Sequence, residues 1–132
     1  RLADWLPHTV SGATITDVNP ITASWQTHAL LTVPSAAYDR LVQVRGIIPL
    51  LLVYPSVNYN GRILQGASTV VAQQTVYGNQ AGSIPLETEW LPLASGVSAQ
   101  FRFQIDRDSG SSGATDDRDA YNNFTATIIR DL

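Results

Sequence analysis

The chain has 132 residues, of which 44% are apolar and only 14% charged, and its formal net charge is −3. That length suits one domain, residues 1–132, with a real core, and the charge balance lacks the basic stripe that nucleic acid or an anionic membrane requires. The absence of cysteine excludes disulfides and thiolate metal sites, no apolar run approaches the roughly eighteen residues of a membrane-spanning helix, and no cofactor is expected.

There is no lysine, so apart from histidine every cationic side chain is an arginine. The planar, weakly hydrated guanidinium fork suits interfaces and carboxylate partners. The chain starts at Arg1 rather than Met, which reads as a piece, C-terminal in position, of a longer fibrous polypeptide.

In chain order, a lead-in rich in Thr gives a short strand over Ala13–Val18, with Asn19-Pro20 as a turn. Trp25–Val33 alternates as a strand: Trp25, Thr27, Ala29, Leu31 and Val33 share one face, and Gln26, His28 and Leu30 the other. Pro34 ends it, and Ser35–Arg40 predicts a short helix capped by Ser35. Leu41, Val42 and Val44 return to strand character.

The next stretch, Gly46-Ile47-Ile48-Pro49-Leu50-Leu51-Leu52-Val53-Tyr54, is apolar without alternation. As a strand it presents apolar side chains to both faces of its sheet. Leaving one such face in water forfeits about 1.5–3 kcal/mol per large aliphatic side chain, so a second cover is expected, and copies of the same chain supply it. Gly46 and Pro49 predict a bend or a fresh start near Leu50.

Asn60-Gly61, between extended segments, predicts a tight hairpin turn. Ser68–Tyr77 is a strand with Val70, Ala72, Gln74 and Val76 on one side, and Ile84–Leu91 one with Leu86, Thr88 and Trp90 opposite Glu87 and Glu89. Ser95-Gly96 turns the chain into Ala99–Ile105, where Phe101, Phe103 and Ile105 point inward and Arg102 and Gln104 outward. After a polar loop over Asp106–Asn123, a last strand over Asn123–Arg130 places Phe124, Ala126 and Ile128 on one face. About eight short strands, regular turns and no amphipathic helix of useful length give an all-β antiparallel sandwich of jelly-roll type.

Candidate sites are few. Asp106, Asp108 and Asp117 imitate part of a calcium loop, but Gly110 and Ser111 break the ligand pattern, so a solvated hairpin loop is the preferred reading and no metal is assigned. Glu87 and Glu89 are a carboxylate pair of the kind glycoside hydrolysis uses, although same-face neighbours on one strand are usually just exposed. No nucleophile elbow accompanies the histidines, and the chain is read as a non-enzyme. Tyr54, Asn58, Tyr59 and Arg62 bring aromatic, amide and guanidinium groups together, which suits a receptor, a sugar or a carboxylate.

The double-faced run Ile47–Tyr54, the strand Phe101–Ile105 and the terminal strand Phe124–Ile129 resemble the knob at the tip of a short-tailed bacteriophage tail needle. Such knobs are similar to trimeric jelly rolls of the tumour necrosis factor and complement-head type. The resemblance implies a homotrimer whose inner sheets surround a threefold axis, with Ile48, Leu50, Leu52, Arg45, Arg102, Phe124 and Ile128 at the interface. A small anionic ligand between subunits would suit the arginines. It further implies a virion tail-tip, extracellular location, a role in plugging and releasing the genome channel, and contact with a glycan or protein of the host surface. A lectin-like module and, behind it, a glycan hydrolase are the alternatives.

Overall fold

The computed structural model describes residues 6–51, 57–78, 82–108, 116–117 and 123–131. Among them are eleven strands and no helix: β1 (His8–Val10), β2 (Thr14–Ile15), β3 (Gln26–Val33), β4 (Arg40–Leu51), β5 (Asn58–Gln65), β6 (Thr69–Tyr77), β7 (Ser83–Glu87), β8 (Leu91–Leu93), β9 (Ala99–Arg107), β10 (Asp116–Asp117) and β11 (Thr125–Arg130). One sheet has the order β1-β11-β4-β10, with β7 and β8 also paired to β4; the other has the order β2-β3-β9-β5-β6. Every pairing is antiparallel, and the two sheets enclose one core, as the all-β expectation required.

The core is built by alternation. Phe101, Phe103 and Ile105 of β9 face Ala126 and Ile128 of β11 and Val42, Val44 and Ile48 of β4, all buried. Phe103 and Phe124 meet across the layers with ring centroids 4.5 Å apart and tilted by 57°, a contact worth about 0.5–1.5 kcal/mol beyond the area it buries. Gly46 makes room for it: a Cβ there would come within 2.8 Å of Phe124 Cε1 and 3.0 Å of Phe103 Cε2.

Gly61 plays the same part in the opposite sheet, where a Cβ would lie 2.6 Å from Ile84 Cγ2. The hairpin expected at Asn60-Gly61 is therefore corrected: β5 runs straight through, and the turn into β6 follows at Gly66, whose φ is +72°. Glycine at position 61 serves the approach of two layers rather than a reversal of the chain.

Strand β4 is continuous across Gly46 and Pro49, so the expected restart near Leu50 does not occur. It pairs with β11 through Arg40–Arg45, with β8 through Arg40–Val42 and with β7 through Arg45–Pro49. Where Pro49 has no N–H to give, the ladder resumes at the next residue, whose N–H donates to the Gly82 carbonyl at 3.1 Å.

Three further expectations are revised. A register shift between Thr27 and Ala29 turns His28 inward beside Ala29, where its ring meets Phe124 edge-on at 5.5 Å; a bulge adds one residue and inverts the facing of what precedes it. The stretch Ile84–Leu91 splits into β7 and β8 because the Thr88 hydroxyl accepts the Val44 N–H at 2.9 Å and donates to the Glu89 carbonyl at 2.7 Å, leaving Trp90 outside. Ser35–Arg40 forms no helix. Its polar groups bond across the chain instead: the Ala36 carbonyl accepts Gly96 N–H, Asp39 Oδ1 accepts Ser95 N–H, and the buried Arg40 guanidinium donates to the Pro34 and Val97 carbonyls.

Candidate functional site

The parity of β4 decides which side chains are available for function. Val42, Val44, Gly46, Ile48 and Leu50 face the core, so Leu41, Gln43, Arg45, Ile47, Pro49 and Leu51 form the outer face. Register extends that face sideways: Thr125, Arg45 and Glu87 form one row, Ile47 and Pro85 the next, and Ile129, Leu41 and Pro92 a third. Ile47 is 44% and Leu51 39% exposed, which puts two large aliphatic side chains of this face in contact with water.

A shallow depression adjoins these residues, lined by Arg45, Ile47, Gln74, Pro85, Glu87 and Asn123. Among the described residues, neither the Arg45 guanidinium nor the Glu87 carboxylate beside it makes a side-chain hydrogen bond or ion pair, although the two residues are register partners. Arg45 is exposed on this outer face.

The other expected interface residues lie elsewhere. Ile48, Leu50, Phe124 and Ile128 are buried within a single copy, packed against the opposite sheet, so the expectation that they face a partner is corrected. A one-residue change of parity separates Ile48 and Leu50 from the open pair Ile47 and Leu51. Arg102 is on the outer face of the second sheet, where it donates to the Gly66 carbonyl and to Gln100 Oε1. Leu52 and Tyr54 are outside the described residues.

The expected receptor or sugar contacts are dispersed as well. Tyr59 is fully buried, which corrects its assignment to a binding surface; its parity on β5 points it into the core. Asn58 is half-buried at the start of the same strand. Arg62 lies on the outer face of the second sheet, its guanidinium 4.1 Å above the Trp25 ring while Nε donates to Gln104 Oε1 at 2.8 Å. Gln104 Nε2 in turn donates to Thr27 Oγ1 at 3.1 Å, so the row is already satisfied by its own members.

Next to that row, Asn60 Nδ2 donates to Asp106 Oδ1 at 2.8 Å and to Asp108 Oδ1 at 3.1 Å, while Thr75 Oγ1 donates to Asn60 Oδ1 at 2.7 Å. Burial raises the Asp106 carboxyl from its ordinary value and the charge of Asp108 adds to this, against the Asn60 hydrogen bond and Arg62. Two of the three aspartates of the calcium-like pattern, Asp106 and Asp108, are therefore tied to an amide. Among the described residues no group of three or more His, Asp or Glu is placed to hold a metal ion; residues 109–115 and 118–122 of that loop lie outside them.

Glu87 and Glu89 are both exposed, with the buried Thr88 between them. No family model matches the chain, and no curated protein matches its sequence.

Ile47, Pro49 and Leu51 are the outward-facing residues that the double-faced run conceals. The signal for them lies just upstream, where Val42 and Val44 alternate with Gln43 and Arg45. Carried across Gly46, that alternation puts Ile47, Pro49 and Leu51 outside.

Proposed function

We propose that this chain is a structural and interaction module, a jelly roll that assembles as a homotrimer through the outer face of β4 and its neighbours. The observation carrying this reading is the exposure of Ile47 and Leu51 on the outer face of β4, where Pro85 of β7 is the register partner of Ile47. Aliphatic surface at such a place gains about 25 cal/mol per Å² when covered, and cyclic assembly repeats the gain at each copy. The strand order, β1-β11-β4-β7 over β2-β3-β9-β5-β6 with the chain passing back and forth between layers, supports the jelly-roll assignment. The low charged share supports association rather than a strongly solvated surface.

The biological role that goes with this architecture is the distal tip of a phage tail needle or fibre, which meets the host surface and helps plug the genome channel. A carbohydrate-binding module remains the second reading, supported by the Trp25, Arg62 and Gln104 row, and weakened by the burial of Tyr59 and the mutual engagement of that row. Light scattering on the purified domain tests the leading one. Three times the chain mass of 14.3 kDa at micromolar concentration is expected; a stable species of single-chain mass overturns it.

A further inference from the structure

Resting on that reading of the same face, we propose that copies of this chain fix their register on one another through ion pairs between Arg45 of one copy and Glu87 of the next. Arg45 differs from the other described arginines. Arg40, Arg102 and Arg107 donate to backbone carbonyls, Arg62 is stacked on Trp25 and bonded to Gln104, and Arg130 covers the Tyr38 ring. Arg45 alone among them makes no contact of these kinds, and it does so on the face where Ile47 is bare.

Glu87 completes the pattern. It is the register partner of Arg45 across β4 and β7, it is exposed, and among the described residues its carboxylate too is unpaired. The next outward-facing row holds Ile47 and Pro85. One cation and one anion thus stand side by side at the margin of an apolar patch.

Such a patch is complementary to a rotated copy of itself. When two copies close over Ile47, the guanidinium of one can meet the carboxylate of the other, whereas a patch of a single sign would repel its twin. A neighbouring carboxylate also disfavours a free anion at Arg45, which makes another copy of the chain the better occupant. Within one copy an exposed cross-strand pair of this kind contributes little; at a closing interface, with water excluded, the same charges select register and partner.

The test uses Arg45→Glu and Glu87→Arg, each at an exposed position, with circular dichroism to show that the fold is kept. Each variant alone gathers like charges and is expected to need at least tenfold higher concentration than wild type to assemble in light scattering. Mixing the two variants restores opposite charges across copies at two of the three contacts of a trimer, so native mass spectrometry of the mixture is expected to show mixed assemblies at lower concentrations than either variant alone requires. A pair confined to one copy would not be rescued by mixing, and that result overturns the proposal. Single variants that assemble like wild type overturn it too, while leaving self-association through Ile47 and Leu51 standing. A wild-type chain of single-copy mass overturns both.

Discussion

The side-chain amide of Asn123 pairs with both backbone groups of Ile47: Oδ1 accepts the N–H at 2.6 Å and Nδ2 donates to the carbonyl at 3.1 Å. The ladder between β11 and β4 starts at Thr125 and Arg45, so this amide extends it by one pair where the backbone has departed. Asn123→Ala removes both bonds from a water-accessible place and is expected to lower stability by about 1–2 kcal/mol in urea unfolding. Asn123→Asp, which keeps an acceptor but loses the donor, should fall at least as far at neutral pH. Wild-type midpoints for both would show that the pair is dispensable.

Neighbouring leucines on β4 should give opposite phenotypes. Leu51 is 39% exposed and Leu50 is buried, so Leu51→Asp is expected to keep the β-sheet spectrum while lowering the assembled mass. Leu50→Asp puts an unpaired carboxylate into the core and should unfold the domain. Equal behaviour of the two variants in circular dichroism and light scattering would contradict the observed parity.

Gly46 lies against the Phe124 and Phe103 rings, without room for a methyl group. Gly46→Ala is expected to cost about 1–3 kcal/mol through forced displacement of those rings. Adding Phe124→Leu to Gly46→Ala should cost less than the two single effects summed, because the smaller side chain vacates the space. Strict additivity in thermal unfolding would show that the close approach is not what constrains this position.

Asp106 carries a carboxyl raised mainly by burial. The folded chain therefore holds a proton that the unfolded chain has released, starting near the ordinary aspartate value of about 4 and continuing up to the raised folded value. Its contribution to stability is present below that window and is lost as pH rises through it. Asp106→Asn keeps an acceptor for Asn60 and should remove this decline, making the variant the more stable protein at neutral pH. A wild-type curve with no such excess slope over the variant would contradict the assignment.

Much of the sandwich was legible because most strands alternate. Phe101, Phe103 and Ile105 are buried where their spacing places them, as are Phe124, Ala126 and Ile128. What escaped has physical causes. Glycine looks the same in sequence whether it reverses the chain or admits a side chain from the other layer, so Gly61 read as a turn. The run from Ile47 to Leu51 lacks polar marks, so its parity had to be carried past Gly46 and Pro49, two residues that normally argue against continuity. The facing of His28 follows from a bulge, and no local pattern announces one. The candidate surface inherits this ambiguity: the unbroken run points equally to Ile48 and Leu50, which are buried, and to Ile47 and Leu51, which are open.

The pairing of β11 with both β1 and β4 brings His8 beside Ile128 and Arg40 beside Arg130. Partners so distant along the polypeptide make for a late, slow closure. During synthesis β4 must wait with a bare flank until Thr125–Arg130 leaves the ribosome, and until then that flank is a template for the wrong strand. A nascent chain halted before Thr125 should accordingly be sticky and protease-sensitive, however complete its other sheet already is.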